Sequence, residues 1–523
     1  MLKRIKFVIL FFICLYPLNA FSEDGDILTI SYSSGGIQLD PAHSYTTTEA
    51  QLFTAIYEGL VTYNPLTLEP TPGAASKWII SPDGKTYTFF LRPEGRYWNG
   101  ETVTASDFRD AWLRLLNPEE HAEYSFMLDV IEGAAEYRTG KLKDPEKVGI
   151  KEISPLTLQI KLKEPADYFL KILCHHAFSP VNPLNIEDGK WKEGPSAIGN
   201  GPFMLYSNSN DEIIFKKNKL YWDESNIKLS ELHVIFSDDA DTITEQFNES
   251  KILWAPSGVY YSKLKHPDNI VTNPLFGTTY FYFKGDSGAL KDSRVRRGLC
   301  LMLPWEQIRS QKNFYIPSQT LVPSIPGYPL NEGINKREMQ EALQLLYKAG
   351  YQKGKGIGTI RIRIPESRDD MYIASIFKDT WEKFLDVKVE IEVFKYDEYF
   401  DKLKEPEYSM GITSWVGDYA DPLTFLQMWT SDSNLNDSGY KNPEYDELLH
   451  KSLGEKNTKE RYKLMAGAEK ILLDGGIVIP LQNYPAFNAV NLSVLQGWYP
   501  NVLDIHPFKY MFILKPKVPN GAT

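Results

Sequence analysis

Asp418 lies between a glycine and an aromatic in Ser414-Trp415-Val416-Gly417-Asp418-Tyr419-Ala420-Asp421-Pro422, just after residues that read as the end of a strand. A carboxylate so placed suits pairing with a cationic group where little water reaches, although the same residues also describe an ordinary turn aspartate. Other candidates for chemistry are weaker. Cys174-His175-His176 is the one metal-like cluster, but neighbouring side chains of an extended segment point to opposite faces and no companion pair follows at ligand spacing. Gly354-Lys355-Gly356-Ile357-Gly358 precedes a strand, whereas a phosphate loop follows one and opens a helix, so it reads as a turn. Asp238-Asp239 and Asp369-Asp370 offer paired carboxylates of the kind a glycosidase uses, but among 68 acidic residues such pairs arise freely on solvated surface. There is no Gly-x-Ser-x-Gly, His-Glu-x-x-His, Gly-x-x-x-x-Gly-Lys-Ser/Thr or Cys-x-x-Cys, so no nucleophile, base or metal set is assembled for an enzyme. The 31 Tyr, 27 Phe and 11 Trp supply core and, in part, the lining of a ligand cleft.

The elements that must position these residues are readable in outline. Ile27 to Ile30 forms a short strand, and Thr46-Thr47-Thr48-Glu49 makes a capping box ahead of Leu52, Phe53, Ile56, Tyr57 and Leu60, a helix predicted to stop at Gly59. Lys85 to Leu91 has strand composition, and Thr104-Ala105-Ser106-Asp107 caps a helix with Phe108, Ala111, Trp112 and Leu115 on one face, ended by Asn117-Pro118. Leu158, Ile160 and Leu162 alternate with polar residues as a half-buried strand. Residues 71–194 therefore read as an α+β unit. Further on, alternating Ile360, Ile362 and Ile364, helically spaced Ile373, Phe377, Trp381 and Phe384, and alternating Val387, Val389, Ile391 and Val393 spell strand, helix, strand. Such a unit predicts a parallel pair with a right-handed crossover, and an α/β unit over 286–485. Met339, Leu343 and Leu346 mark another amphipathic helix, closed by Gly350.

Composition sets the outer bounds. The chain has 523 residues, 42% of them apolar and 24% charged, too long for one hydrophobic core and unlike any fibrous or disordered composition. Lys and Arg number 57 against 68 acids, a net charge of −11, and no basic run tracks a phosphate backbone, so nucleic acid is not an expected partner. Lys3, Arg4 and Lys6 followed by a largely apolar stretch from Phe7 to Leu18 and then Asn19-Ala20 read as a signal peptide over residues 1–20, too short for a membrane span of ~20 residues. An uncleaved anchor and a lipoprotein through Cys14 are the alternatives, the latter without the small residue usual before a lipidated cysteine. Cys174 and Cys300 are expected as unpaired thiols, Cys300 on a buried helix face.

One resemblance spans nearly the whole chain after the leader. Tyr57-Glu58-Gly59-Leu60-Val61, Ser81 to Phe89 with Leu91-Arg92, Trp98-Asn99-Gly100 with Val103 to Phe108, Gly199-Asn200-Gly201-Pro202-Phe203, Asn218 to Asp223, Asp292 to Arg297 and Ala349-Gly350-Tyr351 occur in one order, with Ser414 to Leu426 as the ligand segment. Together they resemble the extracytoplasmic oligopeptide-binding proteins of ABC importers, in the peptide/nickel-type solute-binding family 5. The resemblance implies an α/β, two-lobed periplasmic-binding-protein-like fold (type II, cluster C) with an extra α+β domain inserted in the first lobe. Residues 24–70, 195–285 and 486–523 would form lobe I, 71–194 the additional domain and 286–485 lobe II, with a hinge near 276–286 and 480–490.

By the same resemblance, an extended peptide lies between closing lobes and its α-ammonium pairs with Asp418. The backbones of Glu58, Gly59 and Leu60 and of Ser414, Trp415 and Val416 would bond it as a strand, and Tyr124, Tyr396, Trp415 and Tyr484 would line side-chain pockets. Relatives place a basic residue for the peptide's carboxylate six positions before the anchor. This chain has Ile412 there, leaving Arg368 and Lys404 as candidates by neighbourhood. The resemblance implies short peptides, a membrane permease and an ATPase as partners, a monomer, no cofactor, no metal and no enzymatic activity. Family members that bind murein peptides, nickel complexes or haem remain alternatives, with the lack of a histidine-rich cleft counting against metal, and a secreted hydrolase is a further one.

Overall fold

The computed structural model describes residues 26–33, 37–44, 46–192, 197–286, 288–310, 316–325, 327–419, 421–455 and 457–515, with the Tyr484 side chain also outside the described set. The expected leader and Cys14 lie outside it. The chain opens with β1 (Asp26–Tyr32) and α1 (Thr47–Ile56). A four-stranded antiparallel sheet follows, ordered β2-β3-β5-β4 from β2 (Ala75–Ile80), β3 (Thr86–Leu91), β4 (Ile150–Ser154) and β5 (Thr157–Lys161), with α2 (Ala105–Leu115) packed on it. Strict alternation of buried and half-buried residues along β3 shows one face committed to a core.

The chain then returns to β1. β6 (Phe203–Asn208), β7 (Glu212–Lys217) and β8 (Leu229–Phe236) form a meander whose last strand runs parallel to β1, and β9 (Trp254–Ala255) joins on the other side. Next comes β10 (Ile270–Phe283), fourteen residues long. Beyond it lie α3 (Ser293–Leu301), β11 (Thr359–Pro365), α4 (Arg368–Phe384), β12 (Lys388–Phe394), α5 (Tyr396–Lys404) and β13 (Met410–Val416). β11 and β12 pair in parallel with α4 between them, and Ile373, Phe377 and Trp381 bury the helix face predicted to cover that pair. Each such side chain contributes about 1.5–3 kcal/mol by leaving water.

β14 (Val478–Val490) pairs antiparallel with β10 from Ile270–Ala489 to Tyr282–Val478. These two strands join the halves: one end of β14 meets β9, while β13 pairs with the far end of β10. The pairing register breaks between Pro274 and Thr278 and again at Thr279–Tyr280, so the ladder is least regular where the chain passes from one half to the other.

α1 ends at Ile56 rather than running on to Gly59. Tyr57 turns extended, and the Asn200 side chain binds both backbone groups of Glu58, accepting from its N–H and donating to its C=O. That approach is possible because Gly199 and Gly201 carry no Cβ. One built there would stand 2.0 Å from the Ile56 carbonyl oxygen and 2.5 Å from that of Ala55. Cys174 and Cys300 are both free thiols, and burial pushes Cys300 up to about 12. Among the described residues, no helix is long and apolar enough to cross a membrane.

Candidate ligand-binding cleft

A cavity of about 880 Å³ opens between the halves, walled by α1, the segment around Tyr124, His175-His176, α5 and the end of β13. β13 supplies its most ordered wall. On one side Ser414, Trp415 and Val416 pair with Thr279, Thr278 and Gly277 of β10. On the other, β11 reaches only Met410 and Gly411, so Thr413 to Val416 leave a strand edge facing the cavity. An extended chain laid along that edge adds a strand and finds backbone donors and acceptors at every second residue.

Asp418 sits at the end of this edge, its side chain 8% exposed. Thr424 Oγ1 donates to its Oδ2 at 2.9 Å while accepting from the Asp418 N–H, and Tyr63 donates to its carbonyl. His175 faces Oδ1 with Nε2 at 3.5 Å. Because His175 Nδ1 accepts from the Ala177 N–H, the neutral ring carries its proton on Nε2, turned toward the carboxylate. Tyr124 closes the other side, its ring 4.3 Å from His175 and 6.4 Å from Trp415. Burial, then the carboxylates of Asp418, Glu49 and Glu123, hold the Tyr124 hydroxyl far above its ordinary value, so it serves only as a neutral group. The carboxylate thus has one short hydrogen bond from Thr424, with His175 and the Tyr124 hydroxyl as further donors, and its remaining lone-pair positions can take a cation from the cavity.

The remaining sequence candidates divide. Ser414, Trp415, Val416, Tyr124, Tyr396 and Lys404 all line the cavity, Tyr396 being 60% exposed at the start of α5. Ile412 is buried, held by its N–H and C=O to the Tyr399 hydroxyl, while Thr413 faces the cavity. Arg368 is exposed on the first turn of α4 and does not line the cavity. Lys404 pairs with Asp401 at 3.5 Å. Tyr484 has its backbone in β14 and its side chain outside the described residues.

Glu58 corrects the reading of its own backbone as part of a peptide-bonding strand. Both backbone groups of Glu58 are taken by Asn200, the Gly59 carbonyl accepts from Ala74, and the Leu60 carbonyl accepts from Gly73 and Ala75. The Glu58 carboxylate is buried and accepts from Tyr221, Trp222 Nε1 and Lys509. Glu58 and Gly59 border a separate space of only about 50 Å³.

The histidines correct a second reading. His43, His121, His175 and His176 all line the cleft, so it does not lack them. The His175 and His176 rings lie 4.0 Å apart and tilted by 35° instead of diverging, because the chain turns there into a 3-10 segment. Burial, then the neighbouring His175, hold His176 well below its ordinary value, while its Nε2 meets the Ser44 carbonyl. Among the described residues the one set with metal-like proximity is Asp40, His43 and Glu120, but the Arg114 guanidinium bonds both of those carboxylates. A cation already fills that position.

With the cleft in view, the comparisons decide the family. The model of bacterial extracellular solute-binding proteins, family 5, matches residues 69–437. The chain belongs to this family. The family-5 protein described here is 29% identical over 483 residues to the oligopeptide-binding protein OppA of Bacillus subtilis, covering 88% of each chain. Its fold matches the solved murein tripeptide-binding protein MppA of Escherichia coli with a TM-score of 0.84 at 28% identity, covering 94% of this chain and 99% of that one. Against the unliganded open form of the same MppA, at the same identity and covering 94% and 98%, the TM-score is 0.63. The family-5 protein therefore stands with its lobes in an arrangement other than that open one. Contacts between residues 122–168 and 419–434 fit a closed cleft: Arg138 donates to the Asp432 carbonyl at 2.7 Å, Asn434 donates to the Ala122 carbonyl at 2.8 Å, and Tyr168 stacks on Tyr419.

Proposed function

We propose that this protein is the substrate-binding subunit of an ABC peptide importer, capturing short extended peptides between two closing lobes. Asp418 anchors the peptide α-ammonium, the Thr413–Val416 edge pairs with the peptide backbone, and Tyr124, Trp415 and Tyr396 line the side-chain spaces. The observation that carries the reading is a nearly buried carboxylate at the end of an unpaired strand edge inside an 880 Å³ cleft. A carboxylate largely withdrawn from water favours a cationic partner, and an edge strand binds any peptide because all peptides share one backbone pattern. The names of its relatives, an oligopeptide-binding and a murein tripeptide-binding protein, point the same way.

The lobes are 24–70, 195–285 and 486–523 for the first and 286–485 for the second, with 71–194 inserted in the first. They rotate about the irregular part of the β10–β14 ladder, which lies within the two chain crossings. The chain acts as an exported monomer, delivered by its leader or held through a lipidated Cys14, and hands its cargo to a membrane permease and ATPase; it catalyses no reaction.

Calorimetric titration with trialanine and N-acetyl-trialanine tests the reading. Binding of the free-amine peptide, with at least tenfold weaker binding of the acetylated one, is the expected result. No binding of either, or equal binding of both, would overturn it.

A further inference from the structure

The anchor carboxylate has a neighbour that can carry a charge of its own. His175 reaches Asp418 from the turn that follows Cys174, its side chain 4% exposed against 8% for Asp418, with Nε2 3.5 Å from Oδ1. The Ala177 N–H occupies Nδ1, which fixes the neutral ring with its one proton on the nitrogen that faces the carboxylate. Thr424 donates to the other carboxylate oxygen at 2.9 Å, so the ring and a ligand cation approach a carboxylate with one oxygen already engaged. Among the described residues His175 is the one group in ion-pair range of that carboxylate.

The groups around the ring differ in whether they change charge. From the facing segment Tyr124 lies 4.3 Å away, and burial, then the carboxylates of Asp418, Glu49 and Glu123, keep its hydroxyl neutral. From the same turn His176 lies at 4.0 Å; burial, then His175, hold it well below its ordinary value, and Phe178 at 5.8 Å is apolar. The other cleft histidines stand apart: His43 faces Glu120 and Glu123, and His121 is exposed. An imidazole is the side chain whose charge changes between about pH 5 and 8, and His175 is the one placed to do so against the anchor.

We infer that His175 is the positioning residue of the anchor, and that a proton on its second nitrogen and the peptide's ammonium exclude one another at Asp418. This rests on the peptide-binding function proposed above and adds its regulation. Neutral, the ring turns one N–H toward the carboxylate, helps to hold it in place and leaves its charge for the peptide. Charged, the ring supplies the cation itself, and a second cation brought to the same buried carboxylate meets a like-charge repulsion that little water screens. Binding of a free amino terminus therefore expels a proton from His175 to solvent while the peptide's ammonium keeps its own. Acid then weakens capture by up to about tenfold per pH unit once the ring is charged.

Calorimetric titration of the full protein with trialanine between pH 5 and pH 7, wild type beside His175→Gln, tests the inference; glutamine keeps a neutral N–H donor and cannot take the charge. Wild-type affinity is expected to fall about tenfold or more from pH 7 to pH 5 and that of the variant about threefold or less, with the two within about threefold of each other at pH 7. A wild-type affinity that is flat across the interval, or a variant that keeps the full slope, overturns the role of His175 while the peptide-binding function stands. Ring-nitrogen NMR of wild type with isotope-labelled histidines reads the same coupling without a substitution. At pH 5 saturating trialanine should turn one charged ring neutral; spectra in which no ring changes charge overturn the role even if the variant does not fold. If trialanine fails to bind wild type at any pH, the peptide-binding function itself falls and this inference with it.

Discussion

Asp418→Asn removes the anchoring charge while keeping the side chain's shape. The asparagine carbonyl still accepts from Thr424 Oγ1, the 2.9 Å bond that orients the group, and the Thr424 bond to the 418 N–H is untouched. The fold should therefore hold, with unfolding transitions of variant and wild type superposing within a few degrees. Ligand binding loses more. Two unit charges about 3 Å apart attract by roughly 5–6 kcal/mol at an effective dielectric of ~20, and stripping water from both offsets part of that. Losing one partner of such a charge-assisted pair costs about 2–5 kcal/mol, a fall in affinity of roughly 30- to 4,000-fold. Calorimetry with trialanine reads the loss, and N-acetyl-trialanine completes a double-change cycle: without an ammonium, wild type and variant should bind alike. Trialanine binding by the variant within threefold of wild type would refute the reasoning, as would an equal loss for the acetylated peptide.

Three further outcomes follow from other parts of the structure. Glu58→Ala strands the Lys509 ammonium, which lies 2.9 Å from the Glu58 carboxylate in a buried pocket, so a loss of about 3–5 kcal/mol is expected in urea unfolding; stability within 1 kcal/mol of wild type would contradict the structural role assigned to that carboxylate. Burial first, opposed by Lys284 and Lys404 and assisted by Glu123, raises Asp437 to about 6, so it is largely neutral at pH 5 and charged at pH 7. Folding stability should therefore fall as pH rises from about 4 to 6, and Asp437→Asn should remove that slope in urea unfolding followed across the interval; an unchanged slope would contradict the burial of this carboxylate. Asp432→Ala removes one acceptor of the Arg138 contact, 3.1 Å away and half exposed, and should weaken peptide binding by about 1 kcal/mol with little change in melting temperature. Identical affinity would place that contact outside the closure equilibrium.

Local signals in the sequence carried furthest where one segment decides its own structure. Both capping boxes, Thr46 with Glu49 and Thr104 with Asp107, form as predicted, because the bonds they need lie within four residues. The alternation and helical spacing over 359–394 gave the parallel pair and its crossover, since each face needs only one period to bury. Glu58 was misread because its partners, Asn200, Tyr221, Trp222 and Lys509, lie 142 to 451 residues away, and nothing nearby shows that its backbone is already bonded. His175 and His176 were set aside on the geometry of an extended chain, whereas a turn brings their rings together and places His175 beside Asp418. The bond from Asn434 to the Ala122 carbonyl carries no local mark at all, because the two residues lie 312 positions apart.

The most direct test of the account is to ask what the protein carries. Native mass spectrometry of the purified, exported protein, followed by denaturing release, should show short peptides with free amino termini, one per chain. Release of acetylated peptides, a metal complex, a haem or a sugar in place of free-amine peptides would contradict the assignment of Asp418 as the ammonium anchor.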